Sequence, residues 1–455
     1  MTDATSALPD WISPPDRSGG PIYGQIVTAL EDAVARGVLR PGDRLPTQRA
    51  LAEKLGVDLT TVTRAYTEAR HRGLLDAVTG RGSFIAGGSG SSAPAMDLSM
   101  LMPPPPQGLV LGNLIERGIA GLLARTNADV LMAYHVGPGA QPDRIASAHW
   151  LEPTLGPISP ERIVICPGAQ PALAGIVSLL ARAGDTLLTE PETYPGLLNI
   201  AAHLRLNLAP VARDADGLLP DALAAACRAH KPRALYIQPT IQNPTTATMP
   251  EARRRDIARV VAAHDLMVIE DDPYSRLIDH PAPALAHFAP ERTFHVATLA
   301  KTMTPGLRTA YVVVPADFAP ETLADAMRAL TLMPAPLMTA LATRWIMEGT
   351  ATHMLSAVRR EARARQALAR ELLPAGAVAH PDGLHVWQTL PDHWDRQRLT
   401  ETARRQGLGV MPAEAFNVEG PAPNAVRISL GAVTERARLG TALAALAAII
   451  SGKSD

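Results

Sequence analysis

FHVATLAKTMTPGLR, residues 294–308, is the stretch on which the reading of this chain turns. It opens with an apolar run of strand length, Phe294 to Thr298, and then breaks into a loop that carries Lys301 and Arg308. A lysine just past a strand end can project into the crevice at the carboxyl edge of a parallel sheet, where such sheets bind ligands. Thr298 lies three residues before that lysine and Arg308 seven after it. A hydroxyl plus a bidentate guanidinium makes a phosphate clamp. Alone, a lysine is a surface charge; its neighbours along the chain decide otherwise.

Working outward, further short apolar runs repeat the strand pattern: Ile163 to Cys166, Thr186 to Thr189, Ala234 to Ile237, Met267 to Ile269 and Tyr311 to Val314. Helical stretches separate them. This alternation predicts an α/β domain around a mostly parallel sheet, spanning residues 107–450. From Leu355 onward, long Ala/Arg/Leu helices and two apolar segments near Leu384 and Val426 predict a smaller α+β lobe, about 355–450.

Several strand ends carry chemistry. Asp271 in VIEDDPYSRL follows an apolar strand, with Tyr274 three residues on. Asn243 in QNPTTATM follows ALYIQP, and Gly168-Ala169-Gln170 separates RIVIC from a predicted helix. Tyr194 lies in EPETYPG. Each has a plain reading: a solvated acidic turn, an Asn-Pro turn, an ordinary strand-to-helix turn, a loop tyrosine. Together they match the needs of pyridoxal 5′-phosphate (PLP). That cofactor takes a lysine for its imine, an acid against the pyridine nitrogen, donors to the phenolate oxygen and an anion cradle. Asp271 supplies the acid, and Tyr274 and Asn243 supply the donors. Tyr194 stacks on the ring. The glycine-led helix start offers free N–H groups to the phosphate, beside Thr298 and Arg308.

The ordered set Gly-Ala-Gln, Pro-x-x-Tyr-Pro, Asn-Pro-Thr, Asp-x-x-Tyr and Thr-x-x-Lys-x6-Arg resembles fold-type I aminotransferases across roughly residues 107–445. The resemblance implies that Lys301 forms the Schiff base and that Arg427, in AVRISL, clamps a ligand carboxylate. It also implies that Tyr134, in AYHVGPGA, reaches the phosphate of a neighbouring subunit, so that the site is completed only in a dimer. Two positions depart from the pattern. Thr246 stands where a glycine usually follows Asn-Pro-Thr, and Ala169 stands where a serine is common.

At the other end of the chain, residues 20–86 read as one small unit. Ile22, Tyr23, Ile26, Leu30, Ala33 and Val34 fall on one helical face, which Gly37 closes, and Pro41-Gly42-Asp43 reads as a turn. Thr47 can cap a second helix that buries Leu51, Ala52 and Leu55 and stops at Gly56. Asp58 can cap a third, with a buried stripe of Val62, Ala65, Tyr66 and Ala69, ended by Gly73. Leu74 to Val78 and Ser83 to Ile85 read as two short strands around Thr79-Gly80-Arg81-Gly82. Three helices and a two-stranded wing suit a winged helix-turn-helix; an ordinary three-helix interaction domain is the alternative.

The outward face of the third helix carries Thr60, Thr61, Thr63, Arg64 and Thr67, groups that can bond phosphates and base edges. Arg49, Arg81, His71 and Arg72 add basic character. LPTQRALAEKLGVDLTTVTRAYTEARHRGLLDAVTGRGSFIA closely resembles the DNA-binding domain of GntR-family regulators. By position, that resemblance makes Arg49, Thr60, Thr61, Arg64 and Gly82 DNA contacts. Leu59 departs from it, since the family usually has a polar or basic residue there.

Residues 87–106 form a Gly/Ser/Pro-rich linker. Its flexible part, AGGSGSSAPAM, would span on the order of 20 Å, and Pro103 to Pro106 are stiffer. The chain has 455 residues, too many for one core, and a net charge of −1, so any basic surface is local. Two cysteines, Cys166 and Cys227, exclude a disulfide framework and fit a cytoplasmic setting. No secretory leader, membrane span or metal site is expected.

A GntR-type head joined to a fold-type I domain resembles the MocR/GabR-type regulators. That implies a head-to-tail, domain-swapped homodimer that binds operator DNA and senses an amino-group effector by aldimine exchange. Two alternatives stay open at this point: a working aminotransferase with an accessory DNA-binding head, and a regulator whose large domain no longer binds PLP.

Overall fold

The computed structural model describes residues 9–16, 20–39, 43–71, 74–78, 82–85 and 96–452. The chain divides into two compact units, Met1–Ala93 and Pro94–Asp455.

In the first unit, helices α1 (Ile22–Ala35), α2 (Gln48–Leu55) and α3 (Leu59–His71) precede a hairpin of β1 (Leu75–Val78) and β2 (Gly82–Ile85). Thr47 caps α2, its side chain accepting from the Ala50 N–H, a contact worth about 1 kcal/mol. Gly56 ends that helix in the left-handed region at φ 62°. Asp58 starts α3 by accepting from the Thr60 N–H at 2.7 Å. The stripe Val62, Ala65, Tyr66 and Ala69 is fully buried against Ile26, Val27 and Leu30 of α1 and Leu51 of α2. The Tyr66 hydroxyl donates to the Pro46 carbonyl, so the ring enters the core without stranding its polar end. Pro41-Gly42, Arg72, Gly73, Thr79-Gly80 and Arg81 lie outside the described residues.

The second unit holds a seven-stranded sheet. Its order across the sheet is β4 (Ile163–Cys166), the Ala310–Val313, Thr293–Thr298, Met267–Asp271 and Ala234–Ile237 strands, β5 (Thr186–Thr189) and β6 (Asn207–Pro210). The Ala310–Val313 strand runs antiparallel to both its neighbours, and the remaining pairs are parallel. Its central strands are wholly buried, because helices cover both faces and every side chain meets a core. β6, partly exposed at the sheet edge, carries Asn207 and Pro210 and escapes a reading based on apolar runs.

A second, four-stranded sheet of Ala377–Val378, His385–Thr389, Ala425–Ser429 and Met411–Pro412 packs with the Thr350–Leu372 and Arg436–Ser451 helices into a smaller lobe. The composition of residues 87–106 suggests a linker throughout. Residues 87–95 lie outside the described ones, and from Met96 the chain is part of the second unit. There β3 (Met96–Asp97) pairs in parallel with Leu408–Gly409. Among the described residues no helix is long and apolar enough to cross a membrane, and no cluster of His, Cys, Asp or Glu suits a metal. Cys166 and Cys227 are free and buried.

Candidate functional site

The groups singled out in the second unit gather at the carboxyl edge of the large sheet. Asp271 is the last residue of its strand and is buried. Its Oδ2 accepts from the Tyr236 hydroxyl and from Gln238 Nε2, both at 2.7 Å. Burial pushes its carboxyl up to about 6, against the pull of those two donors. The strand register explains the trio. Ile269 pairs with Tyr236, so Tyr236, Gln238, Ile269 and Asp271 share one face. Neither Tyr236 nor Gln238 stood out in the sequence, although Gln238 directly follows its strand at the functional edge.

Lys301 follows the Thr293–Thr298 strand, and its amine donates to the Leu101 carbonyl at 2.5 Å. Burial lowers its pKa to about 8; Arg427 adds repulsion and Asp271 opposes both. Thr298 is buried, its hydroxyl donating to the Thr309 carbonyl. Arg308 turns through the left-handed region at φ 48° and lies over Gly168, donating to the Pro167 carbonyl. Gly168 has φ 105°, and a Cβ there would lie 2.7 Å from Arg308 Nη2. Glycine is thus required twice, by its backbone and by the guanidinium above it. It precedes the Ala169–Leu180 helix, whose first turn has no side-chain cap. A guanidinium and an uncapped helix start together form an anion cradle. Gln170 donates to the Gly196 carbonyl at 3.0 Å, while its buried Oε1 has no partner.

Tyr194 is half-buried at the start of the Pro195–Leu204 helix. Burial, then the nearby Asp271 charge, raises its hydroxyl to about 12, with Arg308 and Arg427 opposing. Asn243 is buried; its backbone N–H donates to Gln238 Oε1, and its Oδ1 accepts from Arg427 Nη1 at 2.9 Å. With the oxygen engaged, the Nδ2 end is the donor that Asn243 has left to offer. Tyr274 is buried, and desolvation raises its hydroxyl pKa. Arg427 is buried too: its Nη2 donates to the Ser99 carbonyl, its guanidinium lies over the Phe416 ring, and its Nε has no partner. His385, which sequence reasoning missed, pairs with Ser429 across the small-lobe sheet and donates from Nε2 to the Gln242 carbonyl. Desolvation, helped by Arg427, drops its pKa to about 3, so it is neutral.

The two departures have physical accounts. Thr246 sits at φ 66°, where glycine would be free and threonine costs about 1–2 kcal/mol. Ala169 opens its helix with no hydroxyl, leaving backbone N–H groups to face the cradle. Tyr134 is 79% exposed. Val130, Met132 and Val136 near it are exposed as well, beside a cavity of about 850 Å³ lined by Leu122, Val136, Met333 and Met347.

In the first unit, Arg49, Thr60, Thr63, Arg64 and Thr67 are exposed and Thr61 is half-buried. The Thr60 hydroxyl donates to Asp58, and the Thr63 hydroxyl to Gln48 Oε1. The Thr67 hydroxyl donates to the Thr63 carbonyl. Arg64 stacks on the Tyr23 ring at 4.1 Å. Leu59 is exposed at the start of α3. Gly82 opens β2 opposite Val78.

Residues 138–446 match the family "Aminotransferase class I and II", and residues 22–85 match "Bacterial regulatory proteins, gntR family". The uncharacterized HTH-type transcriptional regulator YdeF of Bacillus subtilis is 30% identical over 92% of both chains. The HTH-type pyridoxine biosynthesis transcriptional regulator PdxR of Corynebacterium glutamicum is 31% identical over 64% of this chain and 65% of its own. For the fold, the α-aminoadipate aminotransferase LysN of Thermus thermophilus superposes with a TM-score of 0.72 at 23% identity, covering 85% of this chain and 98% of that one. The chain therefore belongs to the MocR-type regulators, in which a GntR helix-turn-helix domain precedes a domain of the class I and II aminotransferase family.

Proposed function

We propose that this protein is a transcriptional regulator that binds operator DNA through its first unit and PLP through its second, and that an amino acid or related amine sets its DNA affinity. One observation carries the reading. A half-buried lysine, Lys301, an acid, Asp271, and an anion cradle, Gly168 with Arg308, gather at one sheet edge. The donor set suits PLP: a cation over a glycine for phosphate, a carboxylate for a ring nitrogen, and Asn243 and Tyr274 as donors. The buried Gln170 Oε1 and Arg427 Nε have no protein partner, and such groups are costly unless a ligand or water meets them.

When bound, PLP supplies an aldehyde that joins amines reversibly and a ring that withdraws electrons. The rest is the work of this chain. Lys301, with its pKa near 8, presents a substantial neutral fraction at physiological pH. Asp271, fixed by Tyr236 and Gln238, holds a proton on a ring nitrogen. Arg308, Thr298 and the start of the Ala169–Leu180 helix would hold the phosphate, and Tyr194 would lie against the ring. Arg427 takes the ligand's carboxylate. On DNA, Thr60, Thr61, Thr63, Arg64 and the wing residue Gly82 meet the groove and backbone, with Arg49 on a phosphate. Arg81 has the same role at the wing tip, though it lies outside the described residues.

The working form is a head-to-tail homodimer in the cytosol. The exposed side chains Val130, Met132 and Val136 beside the apolar cavity support a covering second copy. Tyr134 then reaches into the partner's site.

The test is a duplex selected from a random pool by the full chain, followed by gel shifts with PLP and a panel of amino acids. At least one amino acid should change both the cofactor's visible absorbance and the DNA affinity. An absorbance change with no effect on DNA affinity by any amine overturns the sensing role. Sustained turnover at about 1 per second or faster moves the reading to an enzyme.

A further inference from the structure

Behind the large sheet, on the face away from the candidate site, lies a cluster of buried charges. Side chains alternate along a strand, so Asp271 faces the site while Glu270 faces the other way. The parallel register sets His295 directly opposite Glu270, and Val296 opposite Asp271. Glu270 and His295 have no exposed surface, and Asp272, just past the strand end, is buried as well.

Glu270 is held as a carboxylate. Its Oε1 accepts from the Leu285 N–H at 2.7 Å and its Oε2 from the Ala286 N–H at 2.9 Å, at the start of the Leu285–Phe288 helix. His295 Nδ1 lies 3.1 Å from the same Oε2. Asp272 Oδ1 accepts from the Ser275 N–H at 2.9 Å, fixing the turn that carries Tyr274. Its Oδ2 lies 3.7 Å from His295 Nε2, which has no hydrogen-bond partner. Both nitrogens of one ring thus face carboxylate oxygens. A neutral imidazole keeps a lone pair on one nitrogen, and here that lone pair would point at negative charge with no water between. A doubly protonated ring is attracted at both ends. Desolvation works against that proton, yet Glu270, then Asp272 and Asp271, hold the His295 pKa above its ordinary value.

Other charges surround the cluster. Arg254, also buried, acts on Glu270 and Asp272, and Arg276 acts on Asp272. On its far side His295 pairs with Val313, which carries no charge. Asp271 takes bonds from Tyr236 and Gln238, and its charge acts on the Lys301 amine and on the hydroxyls of Tyr194 and Tyr274. Asp271 stands between two acids in the chain, Glu270 and Asp272, and the imidazole stands between the same two acids in space. Asp272 pushes Asp271 toward its neutral form and His295 pulls it back. Removing the imidazolium leaves both acids short of a counter-charge in a dry interior, where charges act strongly on one another.

We propose that His295 is a positioning residue for the cofactor: from behind the sheet its imidazolium balances Glu270 and Asp272, and so keeps Asp271 ionised toward the ring nitrogen. It acts through Asp271 and touches neither cofactor nor ligand. The inference rests on the reading of Asp271 as the acid that meets that nitrogen.

Pyridoxamine 5′-phosphate, a fluorescent probe that binds without joining Lys301, tests it on the full chain from pH 5 to pH 8. Affinity should fall as Asp271 takes up a proton, its carboxyl being pushed up by burial to about 6. His295→Asn keeps a donor for Glu270 and removes the charge. Losing a nearby cation lets Asp271 stay neutral to higher pH, so the loss of affinity is confined to the acid side. The variant should bind within about twofold of wild type at pH 8 and about tenfold more weakly at pH 5. Asp272→Asn can still accept from Ser275 but removes a charge of the opposite sign. It should match wild type at pH 8 and bind about threefold more tightly at pH 5.

Lost packing alone would weaken binding by one factor at every pH. That result in His295→Asn, or wild-type affinity at pH 5, overturns the assignment and leaves the cofactor site standing. Should His295→Asn fail to fold, Asp272→Asn decides: binding at pH 5 no tighter than wild type overturns the proposal. Failure of the wild-type chain to bind the probe at pH 8 overturns the cofactor site, and the role of His295 with it.

Discussion

In the first unit, most groups offered to DNA sit on one helix face: Thr60, Thr61, Thr63 and Arg64 lie within a single turn or so of α3, with Arg49 on the helix before it. In the second unit, Gly168, Asp271 and Lys301 come from separate segments that meet because strands of the large sheet are paired, and Arg427 comes from the separate sheet of the smaller lobe. The first kind of recognition is local, so helical periodicity exposes it. The second is a product of topology. It also differs in medium: the DNA face is wet, whereas Asp271, Asn243, Tyr274 and Arg427 are buried, where charges and dipoles act strongly on one another.

That contrast can be broken by substitution. Lys301→Ala should abolish the visible absorbance that PLP gives on binding the protein, with DNA affinity within about twofold of wild type; a gel shift beside an absorbance spectrum checks both. Loss of DNA binding together with the absorbance would mean that the two units are not separable.

The pH dependence of cofactor loading sharpens the contrast next. Burial lowers the Lys301 amine to about 8, so its neutral, reactive fraction grows about tenfold per pH unit below 8 and levels off above it. The rate of loading with PLP, followed by stopped-flow absorbance, should rise about fiftyfold from pH 6 to pH 8 and at most about twofold beyond. A profile still rising steeply at pH 10 would mean an exposed lysine of ordinary basicity. Among the described residues the DNA face is exposed, and operator affinity should change far less over that range.

The smallest effect is Arg64→Ala. Losing one base-reading guanidinium should weaken operator binding roughly tenfold, a value within the 1–3 kcal/mol of a good base contact, with the PLP spectrum untouched. Unchanged affinity would remove α3 from the groove.

The same contrast governs what the sequence discloses. Lys301, Asp271, Asn243 and Gly168 are legible because each follows an apolar run, and an apolar run ending in a polar residue marks the rim of a buried sheet. Tyr236 is not legible, because it sits inside ALYI and owes its contact with Asp271 to a register between two strands. His385 is hidden for the same reason, facing the site only through pairing with Ser429. β6 is missed because an exposed edge strand needs no apolar run. In the first unit the caps, helices and hairpin are set by neighbours in sequence. Yet the stacking of Arg64 on Tyr23 crosses from α3 to α1 and shows only in the fold.

The antiparallel Ala310–Val313 strand has one more consequence. Because Thr298 pairs with Ala310, the loop holding Lys301 and Arg308 is pinned at both ends to the same rigid body. Arg427 belongs to the other lobe. The second unit thus resembles a caliper: one jaw carries two fixed pins, and the other carries the third. Any hinge between the lobes leaves the spacing of the pins untouched and alters only the gap to the third, so molecules of different length can be gauged without disturbing the grip on their common end.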